Sequence, residues 1–125
     1  MVNPTNVYEL VEQIGEGTYG TVWKAQHKRS GELVAIKIIP VDEDMTELEA
    51  EIDILGRCHS EFCVGYLGTY EYEDTVWIVM EYCAAGSVAD LMNYCDTTLD
   101  EEYIRDVVAY VLLGLHYLHG ENLIH

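Results

Sequence analysis

Basic residues are scarce in this chain: 6 Lys and Arg stand against 23 Asp and Glu over 125 residues, for a formal net charge of −17. Beyond Arg57 the only base is Arg105. Such a field repels phosphate backbones and anionic lipid, which argues against nucleic-acid or membrane-surface partners. Long apolar runs are missing too. The most apolar stretch, Val107 to Leu115, falls far short of the ~20 residues that span a bilayer. The start, Met1-Val2-Asn3-Pro4-Thr5-Asn6, has neither a basic nor an apolar segment, so the chain reads as soluble, unsecreted and cytoplasmic. Cysteine pairs of the CxxC kind are absent, and Cys58, Cys63, Cys83 and Cys95 read as reduced thiols. A cluster of Cys58, His59 and Cys63 with His116 and His119 matches no common zinc spacing, so no metal site is expected. With half its residues hydrophobic, the chain can build one modest core, a single domain or part of one.

No internal repeat or low-complexity tract marks the chain, but its hydrophobic period changes along its length. Tyr8 to Ile14, Thr21 to Ala25 and Leu33 to Ile39 read as strands, the last two joined by the polar turn Lys28-Arg29-Ser30-Gly31. Thr46 to Arg57 switches to helical spacing. Strand character returns at Val64 to Tyr72 and Thr75 to Glu81, on either side of the turn Glu73-Asp74. After Gly86, Val88 to Tyr94 reads as a short helix. Ile104, Val107, Val108, Val111, Leu112, Leu115 and Leu118 then form a long helical stripe, with Asp100 as N-cap and Glu101 and Glu102 in the favourable first turn.

The sharpest local feature is Gly15-Glu16-Gly17-Thr18-Tyr19-Gly20-Thr21-Val22, a GxGxxG whose glycines let backbone N–H groups approach phosphate. A plain glycine-rich hairpin is the competing explanation. A dinucleotide fingerprint needs a helix directly after the glycines, whereas Thr21-Val22-Trp23 is strand-forming, so the loop joins two antiparallel strands. In the third strand, alternation puts Val34, Ile36 and Ile38 on one face and Ala35, Lys37 and Ile39 on the other. Lys37 is lodged in an apolar run, where a lysine either snorkels to solvent or meets a partner. On the following helix Leu48, Glu51, Ile52 and Leu55 share a stripe, which takes Glu51 off the wet face and makes it the candidate partner of Lys37, with Glu47 as competitor. Finally, Met80-Glu81-Tyr82-Cys83-Ala84-Ala85-Gly86 runs from a buried strand into small residues that bare the main chain. That suits a flat heterocycle, and equally an ordinary linker.

Taken in order, the glycine loop with Val22, the run Val34-Ala35-Ile36-Lys37, a helix bearing Glu51 and the segment after Met80 resemble the N-terminal part of a eukaryotic protein kinase. Trp77-Ile78-Val79-Met80-Glu81-Tyr82-Cys83 followed by Gly86-Ser87-Val88 looks closest to the Mst/Hippo serine/threonine kinases of the Ste20 group. The resemblance runs from about Tyr8 to His125 and implies ATP as ligand. The loop Gly15, Glu16, Gly17, Thr18, Tyr19 and Gly20 would cover the phosphates, Lys37 would hold them, and Glu51 would orient Lys37. Val22 and Ala35 would cap the adenine, Met80 would be the gatekeeper, and the backbone of Glu81 and Cys83 would bond the adenine edge. Ser87 and Asp90 lie only loosely near the family's ribose side.

Two departures stand out. Phe62, Cys63 and Val64 replace the family's histidine and valines before the fourth strand, which unsettles the packing expected of helix on sheet there. Leu123-Ile124-His125 aligns with the start of the His-Arg-Asp loop, so the catalytic aspartate, the magnesium ligands and the Asp-Phe-Gly segment are not among these residues. The expected fold is α+β: a five-stranded antiparallel sheet with one inserted helix over residues 1–83, then the hinge end and first two helices of a second lobe over 84–125. The expected function is the ATP-binding part of a kinase that phosphorylates protein serine and threonine, inactive by itself, with magnesium needed only by the complete enzyme. The rival is a kinase-like interaction module without transfer activity. The exposed stripe of the last helix points to self-association.

Overall fold

In a computed structural model, which describes residues 2–41 and 45–124, the chain opens with a single 3₁₀ turn at Pro4–Asn6, capped by the Asn3 side chain. Strands β1 (Tyr8–Gly17), β2 (Gly20–His27) and β3 (Leu33–Pro40) precede helix α1 (Thr46–Arg57). Then come β4 (Tyr66–Tyr72), β5 (Thr75–Glu81), α2 (Val88–Cys95) and α3 (Glu101–Gly120). The five strands form one sheet in the order β1-β2-β3-β5-β4, every neighbouring pair antiparallel.

Two compact units emerge: residues 1–59 with 64–82, and residues 60–63 with 83–125. In the first, β3 is covered on both faces, as its unbroken apolar run requires. Val34 and Ile36 face a core with Tyr8, Ala25, Trp77 and Val79. On the opposite face Ile39, Val76 and Ile78 pack beneath α1 through Leu48, Ile52 and Leu55, with Tyr66 and Met80 beside them. The period-two assignment of β3 therefore holds residue by residue. Trp23 and Trp77 each donate their indole N–H to the threonine two residues before, Thr21 and Thr75, at 3.0 Å. An otherwise costly polar atom is thereby satisfied inside the strand.

The turns behave as their sequences dictate. Glu73 and Asp74 both adopt left-handed φ (+46° and +57°), the geometry of a two-residue hairpin whose twist matches its strands. Gly31, at φ +75°, ends the β2–β3 turn and donates its amide to the His27 carbonyl. Strand β1 runs three residues beyond the span expected from its apolar pattern, because the glycines continue the ladder as far as Gly17 opposite Gly20. The last expected residue, His125, lies outside the described residues.

In the second unit, α2 begins with a reciprocal capping box. The Asp90 amide donates to Ser87 Oγ at 3.0 Å, and the Ser87 amide donates to Asp90 Oδ2 at 2.8 Å. Helix α3 starts after Asp100 with Glu101 and Glu102 in its first turn, although the Asp100 side chain makes no capping bond. Segment 60–63 joins this unit: the Phe62 ring lies 5.9 Å from that of Tyr110. At Gly114 an added Cβ would sit 3.2 Å from the Phe62 carbonyl oxygen. The substitutions at Phe62 and Cys63 thus leave α1 seated on its sheet, with Phe62 spent against α3. Much of the α3 stripe is open, with Ile104, Val108, Val111 and Leu112 all exposed.

Candidate functional site

Thr18 and Tyr19 form the tip of a hairpin that Gly17 and Gly20 close. The two glycines serve different ends. Gly20 has φ +141°, and a Cβ there would collide with the carbonyl oxygen of Ile38 and lie 3.2 Å from Ile39 Cα. It is glycine because β3 passes directly behind it. At Gly17 an added Cβ would meet no atom within 4 Å. Nothing among the described residues requires glycine there, and the space over the loop backbone is open.

Directly opposed residues of an antiparallel ladder share a face. Lys37 stands opposite Val22 on one side and Ile78 on the other, and Ala35 stands opposite Lys24 and Met80. Val22, Ala35, Lys37 and Met80 therefore lie on one face of the sheet, the face that also carries α1. Lys24, on the same face, has its ammonium 5.3 Å from the centre of the Tyr82 ring, a cation–π contact that leaves Lys37 as the cation of the loop end.

Lys37 Nζ is 3.6 Å from Glu51 Oε1. The burial expected of Glu51 needs correction: its side chain is 53% exposed, against 29% for Lys37. Helix α1 meets the sheet through Leu48, Ile52 and Leu55, and Glu51 sits at the rim of that contact, reaching sideways to the lysine. A pair this wet contributes less than about 1 kcal/mol to folding. The competing Glu47 side chain lies outside the described residues.

A cavity of about 600 Å³ opens beside this pair. Its walls are Thr18, Tyr19 and Gly20 of the hairpin tip, Lys37 and the end of β3, and Met45, Leu48 and Glu51 from the start of α1. Lys37 and Glu51 thus face one space together with the glycine loop. Ile39, Pro40, Val41, Met45 and Leu48 complete the wall and were not singled out by the sequence, where they carry only the signature of core and turn. Gly15, Glu16, Gly17, Val22, Ala35, Met80, Glu81 and Cys83 do not line it. A cationic group under a glycine hairpin, in a cavity of ligand size, is chemically suited to an anion such as a phosphate chain.

At the end of β5, the Glu81 amide donates to the Gly65 carbonyl at 2.8 Å, and the Gly65 amide donates to Glu81 Oε2 at 3.1 Å. In the other unit, the Cys83 carbonyl accepts from the Gly86 amide at 3.0 Å, a turn set by Gly86 at φ +72°. Ser87 and Asp90 are occupied with each other in the α2 cap, which holds the Asp90 carboxyl below the usual carboxylate range through the Ser87 hydroxyl and amide. Among the described residues no group of three or more His, Cys, Asp or Glu could hold a metal ion, and the cysteines form no disulfide.

The model of the protein kinase domain matches residues 8–125. The chain belongs to the protein kinase domain family. It is 44% identical over 123 residues to serine/threonine-protein kinase 4 homolog B of Dictyostelium discoideum, a match that covers 98% of this chain and 11% of the relative. The chain therefore spans about a tenth of that relative's length. The α+β fold and the Ste20-group, Mst-like resemblance of the motifs stand with these findings. The family uses ATP and magnesium. The residues present fit the first, with a lysine and a glycine hairpin on one cavity. No described helix is long and apolar enough to cross a membrane.

Proposed function

We propose that this chain is the nucleotide-positioning part of a cytoplasmic serine/threonine protein kinase, with residues 1–83 as the ATP-binding lobe and 84–125 as the start of the helical one. The observation that carries the reading is the convergence of Lys37, Glu51 and the Thr18–Gly20 tip on one cavity. In this reading the loop backbone from Gly15 to Gly20 covers the phosphates. Lys37 neutralises them while Glu51 keeps its ammonium pointed inward, and Val22, Ala35 and Met80 meet the adenine. In the same reading the backbone of Glu81 and Cys83 bonds the adenine edge.

Phosphoryl transfer to a protein hydroxyl also needs a base and bound magnesium, which neutralises charge between the phosphates. The 125 residues include neither the family's catalytic aspartate nor its metal ligands, so they bind nucleotide without transferring phosphate by themselves. Titration with a fluorescent ATP analogue tests the first half of this statement. Saturable binding that Lys37→Met weakens at least about tenfold, with hydrogen-exchange protection appearing at the Cys83 amide, is the expected result. Binding indifferent to Lys37 would refute it. A kinase assay on the purified chain tests the second half. Transfer activity that Lys37→Met abolishes would refute that half while supporting the family role.

A further inference from the structure

Four of the six basic residues fall between Lys24 and Lys37, a stretch that holds one acid, Glu32. In a chain of net charge −17 it is a positive island. Two of the four are engaged elsewhere, Lys24 over the Tyr82 ring and Lys37 with Glu51. The other two, Lys28 and Arg29, stand directly before Ser30 in the turn between β2 and β3. Residues 28–33 are all exposed, and Arg29 pairs with no carboxylate among the described residues. Backbone bonds fix the turn: the His27 amide donates to the Glu32 carbonyl and the Gly31 amide to the His27 carbonyl, both at 2.8 Å.

The Ser30 hydroxyl is held in a defined geometry. The Ser30 amide donates to His27 Nδ1 at 3.2 Å, which makes that nitrogen the acceptor of the ring, so the hydroxyl 2.8 Å away donates to it as well. The Glu32 amide donates to the same hydroxyl oxygen at 3.3 Å. One lone pair of that oxygen stays uncommitted on an exposed turn. A hydroxyl presented this way, with a lysine and an arginine beside it, complements an acidic substrate cleft by charge.

The same turn fastens the N-terminal segment. Lys28 Nζ donates to the Thr5 carbonyl at 2.7 Å, and the Lys28 amide donates to the Val7 carbonyl at 2.8 Å. The His27 ring meets the Tyr8 ring edge-on at 5.4 Å. Lys28 is thus both a flank of Ser30 and a clasp on the 3₁₀ turn.

We propose that Ser30 is a phosphorylation site for a separate, basophilic protein kinase, and that its phosphate loosens the clasp on the N-terminal turn. In the transfer, Ser30 Oγ attacks the γ-phosphorus of an ATP held by the modifying enzyme. The Oγ–P bond forms, the bond from that phosphorus to the β–γ bridging oxygen breaks, and ADP leaves with the electron pair. The hydroxyl proton passes to the modifying enzyme's base. Phosphoserine carries a charge of about −1.5 to −2 and no hydroxyl proton, so the donation to His27 Nδ1 ends. A charge-assisted bond is roughly twice as strong as one to a neutral acceptor, so the phosphate draws the Lys28 ammonium from the Thr5 carbonyl. The site does not depend on the nucleotide-binding reading.

The test incubates the 125-residue chain with ATP, magnesium and either the catalytic subunit of cyclic-AMP-dependent protein kinase or the catalytic domain of a protein kinase C, with an acidophilic casein kinase as comparison. Fragmentation mass spectrometry maps the phosphate. Both basophilic enzymes should modify Ser30, and the acidophilic one should leave it bare. Ser30→Ala should abolish that modification and Ser30→Thr should keep it. Lys28→Gln with Arg29→Gln should slow it by about tenfold or more, with circular dichroism confirming that each variant keeps its sheet. In the phosphorylated chain, amide exchange at Asn6 and Val7, the amides of the 3₁₀ turn, should accelerate severalfold over the unmodified chain. Failure of both basophilic enzymes to modify Ser30 would overturn the proposal, as would a rate indifferent to Lys28 and Arg29 or equal modification by the acidophilic enzyme. Unchanged exchange at Asn6 and Val7 after stoichiometric phosphorylation would overturn the loosening of the clasp.

Discussion

Two alanine substitutions in the same loop should have opposite consequences, and the pair separates folding from ligand contact. At Gly20 the backbone sits at φ +141°, and a Cβ would be driven into the Ile38 carbonyl of the adjacent strand. Neither atom can swing aside, since both belong to the β2–β3 ladder, where Thr21 stands opposite Ile38. The strained φ alone costs about 1–3 kcal/mol, and displacing strand backbone adds to it, so Gly20→Ala should destabilise by about 2–4 kcal/mol. Gly17 has no positive φ and open space around its absent side chain. Alanine there should leave stability within about 0.5 kcal/mol, or raise it slightly by stiffening the unfolded chain. Urea denaturation followed by tryptophan fluorescence reads both. At a slope of about 1–3 kcal/mol per molar urea, the Gly20→Ala midpoint falls by about 1–2 M while that of Gly17→Ala stays put. Under the proposed function, the stable Gly17→Ala protein loses affinity for the ATP analogue, because the methyl occupies the space the phosphates need. Equal midpoints for the two variants would refute the steric argument, and unchanged nucleotide affinity in Gly17→Ala would refute the functional one.

Other perturbations probe separate parts of the molecule. Lys37→Met and Glu51→Gln should each shift stability by less than about 1 kcal/mol, since the pair is largely solvated. Both should weaken nucleotide binding, Lys37→Met more severely, so a matching loss of stability would show that the pair is structural. Burial, with help from the Tyr70 side chain, raises the Tyr8 hydroxyl from 10.0 to about 12. A raised folded-state value leaves stability intact below pH 10 and removes it as pH climbs from there toward 12, by about 3 kcal/mol at most. Tyr8→Phe should flatten that alkaline loss, and an unchanged profile would show that another group drives it. The Asp90 carboxyl is held below its usual range by Ser87, so the α2 cap is intact above the ordinary aspartate pKa and opens as pH falls through the lowered one. Amide exchange in the first turn of α2 should accelerate over that acidic window, and Asp90→Asn should remove most of the pH dependence.

How much of this was legible in the sequence follows the range of the forces involved. Helix α1 and strand β5 have the bounds their periodicity dictates, Thr46–Arg57 and Thr75–Glu81, because burying one stripe or two alternating faces is a local constraint on residue spacing. The glycine hairpin, the Glu73-Asp74 turn and the two faces of β3 were legible for the same reason. The tertiary structure alone decided what depends on neighbours distant in sequence. It inserted β5 between β3 and β4, and it drew Ser60 to Cys63 into the helical unit through Phe62 and Tyr110. Strand β1 was carried through the glycines, since ladder pairing with β2 outweighs their weak strand preference. Glu51 shows the difference most clearly. Its place on an apolar stripe marked it from sequence as a partner for Lys37, yet only the angle at which α1 meets the sheet determined that the carboxylate would remain half in water. Periodicity specifies the face of a helix, whereas the depth to which each residue of that face is buried is set by the surface it lands on.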